Sequence, residues 1–142
     1  MLPKINHIAI VVENIETALQ TYHDVLKLPL DHINEEPQEQ VRVAYLPTET
    51  GEVELIQPTS SDSGVAKFLA KRGEGLHHIC LEVESIAQTV REMEQKGLQV
   101  LGEPRINQRG DKYIFIHPKS AHGVLLELYE PASVTAESPD PK

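Results

Sequence analysis

Two histidines and two glutamates occupy matched places in this chain of 142 residues, which repeats itself. INHIAIVVENIETALQTYHDVLKL (5–28) aligns with LHHICLEVESIAQTVREMEQKGL (76–98) and places His7 on His78, 71 residues further along. VELIQP (53–58) aligns with LELYEP (126–131) and places Glu54 on Glu127, 73 residues further along. Independent surface residues have no reason to repeat in this way, so the four side chains are candidates for one site.

The chemistry that these residue types support is metal binding. Neutral imidazole and anionic carboxylate suit Zn, Fe, Ni, Co or Mn, and the lack of thiolate partners argues against a closed structural zinc site. A single His on a strand is more often a core or surface residue, and only the repeat distinguishes His7 and His78. We therefore predict an open, catalytic divalent-metal site of His7, Glu54, His78 and Glu127. His77 adjoins a ligand but should face the other side of its strand, as a structural or exposed residue.

The elements that position these residues read alike in both halves. Apolar residues alternate around His7 and His78, which predicts a strand at the start of each half. Asn14 and Ser85 are suitable N-caps for amphipathic helices, the first with Ile15, Leu19, Tyr22 and Leu26 on its core stripe. Three further strands are predicted in each half, near 28–33, 41–46 and 53–57, then near 100–103, 113–117 and 124–129. The sequence thus predicts an α+β fold of two tandem βαβββ modules that form a curved mixed sheet around a metal-binding cleft.

The predicted organisation is a single domain in four parts. A first module covers 1–60, a linker with a short helix capped by Asp62 or Ser63 covers 61–75, and a second module covers 76–131. The polar, proline-rich segment 132–142 gives no apolar pattern and is predicted to be disordered.

Composition excludes several classes of function. A net charge of -9 opposes binding to a phosphate backbone, so nucleic acid is not an expected partner. No apolar stretch approaches the length of a membrane span, and no secretion signal follows Met1, so we expect a cytoplasmic protein away from membranes. The single Cys80 excludes an intramolecular disulfide.

Three motifs resemble the vicinal oxygen chelate superfamily and, within it, the methylmalonyl-CoA epimerases: NHIAIVV (6–12), SSDSGVAKFLAKRGEGLHHICLEV (60–83) and IFIHPKSAHGVLLEL (114–128). The resemblance carries the metal ligands over to His7, Glu54, His78 and Glu127, where the family also accepts Gln at the Glu54 position. It implies epimerisation of methylmalonyl-CoA by removal of the C2 proton, through an enolate whose charge a divalent metal stabilises. It also implies a homodimer and Co²⁺, with Zn²⁺, Ni²⁺ or Mn²⁺ as alternatives.

The acid/base groups are less complete than the ligands. Epimerisation needs proton loss on one face and return on the other, and Glu127 is predicted as one such group. Some family members carry a Glu where this chain has Val43, so the second group is left open between Glu54 and a metal-bound water. In the loop HPKSAHG (117–123), His117 and Lys119 are candidate substrate-binding residues.

Other functions share the same ligands or fold. A glyoxalase I-like lactoylglutathione lyase uses similar enediolate chemistry and is the main alternative. A metal-free member that binds small molecules is another. A ring-cleaving dioxygenase is less favoured because those enzymes usually have additional modules.

Overall fold

The structure, a computed structural model, describes residues 2–132. They form two compact units: the N-terminal unit, residues 7–78, and the C-terminal unit, which contains the described residues outside that range. The module boundaries expected from the sequence stay predictions. The tail predicted to be disordered lies, from residue 133 onward, outside the described residues. No helix within residues 2–132 is long and apolar enough to cross a membrane.

Four strands form the sheet of the N-terminal unit, in the order β2-β3-β4-β1. Their bounds are β1 Lys4–Val11, whose first three residues belong to the C-terminal unit, β2 His32–Glu36, β3 Val41–Pro47 and β4 Glu52–Pro58. β1 runs parallel to β4, while β2, β3 and β4 are antiparallel neighbours. The register places Ala9 beside Glu54, and Glu54 beside Tyr45. Side chains of these residues therefore share one face of the sheet.

The C-terminal unit repeats this arrangement in the order β5-β8-β7-β6. The strands are β5 Gly75–Glu82, which begins in the N-terminal unit, β6 Val100–Ile106, β7 Lys112–Ile116 and β8 Leu126–Glu130. β5 runs parallel to β8, and the other pairs are antiparallel. Order and direction therefore match those of the first four strands, which confirms the repeat read from the sequence.

Three α-helices connect the strands: α1 Ile15–Leu19, α2 Gly64–Arg72 and α3 Ile86–Gln95. The predicted caps are confirmed, since Asn14 accepts from the N–H of Thr17 and Ser85 accepts from the N–H of Gln88. The repeat also includes a hydrogen bond that joins the start of each helix to a strand. The N–H of Ile15 donates to Gln57, and the N–H of Ile86 donates to Glu130, at equivalent places in β4 and β8.

The first helix departs from the sequence prediction. α1 widens into a π-helix over Gln20–Val25, and the extra residue in that turn rotates the following side chains. Tyr22 still packs on the core, whereas Leu26 is 57% exposed and does not belong to the predicted core stripe. The helical segment ends before Lys27, whose φ is 69°. Leu28 and Leu30, which were predicted to begin a strand, pack on the core instead. β2 consequently begins at His32, later than predicted.

Both faces of the N-terminal sheet are covered. Val12, Ile15 and Leu55 pack on the face that carries α1, and the opposite face, with Ala9 and Val11, packs against α2. The His7, Ala9 and Val11 side of β1 is therefore buried, because α2 lies over the face that it shares with Glu54. The bulkier Ile8 and Ile10 side is only partly buried.

Candidate metal centre

The N-terminal unit brings together three of the four predicted ligands. His7 lies on β1 and Glu54 on the parallel neighbour β4, with His7 Nδ1 3.2 Å from Glu54 Oε2 and side-chain exposures of 5% and 13%. An ionised carboxylate can only accept a hydrogen bond, so the proton of a neutral His7 belongs on Nδ1. The lone pair of His7 is then on Nε2.

His7 Nε2 faces His78 Nε2 at 3.3 Å, and the two rings meet edge to face with centroids 5.3 Å apart. Both residues are buried, at 4% and 5% exposure. Two imidazole nitrogens, each bound at about 2.0–2.1 Å to one tetrahedral ion, are about 3.3–3.4 Å apart. The spacing of the two Nε2 atoms therefore fits a divalent metal, whereas Glu54 contacts His7 at its other ring nitrogen.

Strand alternation predicted that His77 faces away from the ligands. The structure instead places its ring in contact with His78. Its Nδ1 is 2.8 Å from His78 Nδ1, and its ring packs edge to face on Phe68 of α2, with centroids 5.0 Å apart. Alternation fixes where a Cβ points, but the χ angles of two adjacent imidazoles allow their rings to meet. The half-buried His77 is the residue near this site that the sequence reasoning set aside.

Glu127, the fourth predicted ligand, belongs to the C-terminal unit. It lies on β8 directly opposite Cys80 of β5 and is 8% exposed. The neighbouring side chains on its face are apolar or aromatic: the buried Cys80, Tyr113 and Tyr129 and the partly buried Phe115. Leu126 and Leu128 pack on the other face, as strand parity predicted. A carboxylate is thus directed into a largely apolar surface, which is costly unless it has partners or a function.

A hydrogen-bonded cluster lies at the end of the same face. Tyr129, two residues after Glu127, donates from its hydroxyl to Asp111, which also accepts from the N–H of Ala132. Arg109 donates to the Tyr129 hydroxyl at 3.2 Å. Burial raises the pKa of Asp111, but the hydrogen bonds from Tyr129 and Ala132 and the charge of Arg109 outweigh it and lower the pKa. Burial and the Asp111 hydrogen bond raise the pKa of Tyr129, so the phenol stays protonated.

The two candidate substrate-binding residues lie in a short 3-10 helix over Pro118–Ala121 and at its start. His117 Nδ1 accepts from the N–H of Lys119, so this imidazole caps the turn. The Lys119 side chain is exposed. Substrate contact by either residue stays a prediction.

Val43, where some family members carry Glu, is 3% exposed among the apolar residues under α2. Tyr45, two residues after Val43 on β3, lies opposite Glu54 and donates from its hydroxyl to Glu36. Sequence reasoning did not single out Tyr45, because the cross-strand register that places it beside Glu54 is not visible along the chain.

The chain matches known proteins over nearly its whole length. Residues 6–115 match the glyoxalase/bleomycin resistance protein/dioxygenase superfamily. The ethylmalonyl-CoA/methylmalonyl-CoA epimerase of Cereibacter sphaeroides is 36% identical over 131 residues, which cover 90% of this chain and 98% of that protein.

Two solved structures extend the likeness to three dimensions. The methylmalonyl-CoA epimerase of Mycobacterium tuberculosis is 33% identical, with a TM-score of 0.85 over 94% of this chain and 92% of that one. A variant of the Streptomyces coelicolor methylmalonyl-CoA epimerase, in complex with 2-nitronate-propionyl-CoA, is 35% identical, with a TM-score of 0.86 over 98% of this chain and 100% of that one. The predicted α+β fold class is confirmed.

Proposed function

Because the chain belongs to the glyoxalase/bleomycin resistance protein/dioxygenase superfamily, we propose that it is an enzyme, a methylmalonyl-CoA epimerase that interconverts the (R) and (S) forms of methylmalonyl-CoA. The observation that carries this proposal is the likeness to named epimerases, which covers almost the full length of this chain and of each relative. The solved relative with 2-nitronate-propionyl-CoA supports an acyl-CoA substrate. A nitronate is a planar anion at C2 and in that respect resembles an enolate.

The proposed reaction removes the C2 proton, leaves an enolate, and returns a proton to the opposite face. We propose that His7, Glu54, His78 and Glu127 hold one divalent ion, Co²⁺ by resemblance, with Zn²⁺, Ni²⁺ or Mn²⁺ as alternatives. When bound, such an ion supplies a Lewis acid that disperses the charge of the developing enolate oxygen, an effect worth several kcal/mol. The 3.3 Å approach of His7 Nε2 to His78 Nε2 supports the two imidazole positions.

Glu127 is the proposed acid/base on one face of C2. Its burial at 8% exposure supports this role, because a largely water-excluded carboxylate can meet C2 with few competing water molecules. Val43 cannot move a proton. Glu54, the repeat equivalent of Glu127, is the candidate for the opposite face, beside a metal-bound water.

Deuterium wash-in tests the proposal. Each pure stereoisomer of methylmalonyl-CoA is incubated in D₂O with the Co²⁺-loaded protein, and mass spectrometry follows the gain of one deuterium at C2. We expect rapid exchange with the wild-type protein and with the matched control Glu84→Gln, whose side chain is exposed. Glu127→Gln should abolish exchange from one stereoisomer and Glu54→Gln from the other. Exchange no faster than with Co²⁺ alone would reject the epimerase.

Two alternatives give different results. A glyoxalase I-like lactoylglutathione lyase would form S-lactoylglutathione from methylglyoxal and glutathione. A small-molecule-binding member without catalysis would purify without metal, and chelation would leave its thermal stability unchanged.

Ethylmalonyl-CoA is tested beside methylmalonyl-CoA because the Cereibacter sphaeroides relative is named for both. His117 and Lys119 remain the proposed substrate contacts, and the homodimer and the cytoplasmic location stay predictions.

A further inference from the structure

Four polar side chains of the N-terminal unit contact one another in a row, here called the file: Glu54, His7, His78 and His77. Glu54 Oε2 lies 3.2 Å from His7 Nδ1, His7 Nε2 lies 3.3 Å from His78 Nε2, and His78 Nδ1 lies 2.8 Å from His77 Nδ1. The His77 ring then packs on Phe68, which the Arg72 guanidinium covers at 5.5 Å. Each imidazole in the file can donate from one nitrogen and accept at the other. The position of one proton therefore sets the positions of the next.

The file has one arrangement when both Nε2 atoms bind a metal. A metal ligand offers a lone pair, so the proton of His78 must lie on Nδ1. At 2.8 Å that N–H points to His77 Nδ1, which must accept it. The proton of a neutral His77 then lies on its Nε2.

The file has the reverse arrangement without a metal. Glu54 holds the His7 proton on Nδ1, so the 3.3 Å contact between the two Nε2 atoms needs a proton on His78 Nε2. His78 Nδ1 then carries the lone pair and accepts from a proton on His77 Nδ1. A carboxylate in place of His77 could serve only the first arrangement, because it cannot donate when ionised.

We propose that His77 is a positioning residue whose imidazole selects the metal-binding tautomer of His78, and that metal loading moves the His77 proton from Nδ1 to Nε2. This inference rests on the proposed metal-dependent function. Phe68 supports the role because its edge-to-face contact keeps the His77 ring in the orientation that reaches His78. The neighbouring His77 thus takes the part that a carboxylate or carbonyl takes beside many metal-bound histidines.

Metal affinity provides the first test. Competition with a chromophoric chelator measures Zn²⁺ and Co²⁺ affinities of the wild type, His77→Phe, His77→Asn and the matched control His23→Phe, which also loses one imidazole. His77→Phe keeps an aromatic ring on Phe68 but has no ring nitrogen, so metal should bind about 10–100-fold more weakly. His77→Asn has an amide oxygen that can accept and should recover most of the affinity. His23→Phe should bind like the wild type.

Histidine ¹⁵N spectra of the wild-type protein give a second test that does not depend on a variant folding. In the Zn²⁺-loaded protein, His78 should be protonated on Nδ1 and His77 on Nε2, and both should reverse in the metal-free protein. A His77 protonated on Nδ1 in the loaded protein, or unchanged affinity in His77→Phe, would overturn the inference. If the wild type binds no metal and exchanges no deuterium, the proposed function itself fails. If it does both and His77→Phe binds as tightly, only the role of His77 falls.

Discussion

Substituting Tyr129→Phe should weaken the fold beside Glu127 in a pH-dependent way. The Tyr129 hydroxyl donates to Asp111 from a residue that is 8% exposed, and Asp111 also accepts from the N–H of Ala132 and faces Arg109 at 3.6 Å. These contacts link β8 to the turn between β6 and β7. The substitution removes one hydrogen bond to a charged group and leaves the ring in place.

The size of the effect follows from what Asp111 keeps. A hydrogen bond to a charged group contributes about 1.5–3 kcal/mol. Because Ala132 and Arg109 still satisfy the Asp111 carboxylate, whose side chain is 13% exposed, we expect the lower part of that range, about 1.5–2 kcal/mol at pH 7.

The effect should shrink in acid. Contacts with Tyr129, Ala132 and Arg109 lower the pKa of Asp111 despite the burial that raises it. A carboxyl whose pKa is lowered by folding stabilises the protein above its unfolded pKa, about 3.9, and loses that contribution as the pH falls toward the folded pKa. The Tyr129→Phe variant lacks one cause of the lowered pKa of Asp111. The difference in unfolding free energy between the wild type and the variant should therefore diminish below about pH 4.

Urea unfolding followed by circular dichroism suits this chain, which has no tryptophan. The m-value should stay constant while the midpoint falls. Tyr22→Phe, the same chemical change on the π-helix, should cost less than about 0.5 kcal/mol. A double-mutant cycle with Asp111→Asn measures the coupling directly. Loss of less than about 0.5 kcal/mol at pH 7, or an equal loss at pH 7 and pH 3.5, would refute the reasoning.

Three further predictions address the site and the core. His78→Ala should abolish metal binding and C2 exchange while keeping the circular dichroism spectrum, and chelation should lower the melting temperature of the wild type but not of this variant. Leu55→Ala, at a fully buried position, should lower the unfolding free energy by about 2–5 kcal/mol in urea titrations without changing metal stoichiometry. Lys119→Ala should raise KM for the acyl-CoA and leave metal affinity unchanged, whereas an unchanged KM would remove Lys119 from the substrate site.

Much of the fold could be predicted because its determinants are local. Asn14 and Ser85 mark helix starts through hydrogen bonds to residues three positions on, and alternation marks the strands. The errors arose where local signals were incomplete. The π-helix adds one residue to its turn, and Leu26 is therefore exposed. The chain turns at Lys27, where φ is positive, so β2 begins later than predicted. Neither departure leaves a distinct pattern in residue types, because the packing of the segment decides them.

By itself, the sequence determined the repeat, the class of fold and the identity of the four candidate ligands, because the same residue types recur 71 and 73 residues further along, at corresponding positions of the two repeats. Only the tertiary structure decided which atoms meet. The 3.3 Å contact between His7 and His78, and the contact of His77 with His78, depend on side-chain rotation and on α2 lying over that face. Residue type fixes what a side chain can do, but the χ angles and the packing of distant segments decide whether it is in reach.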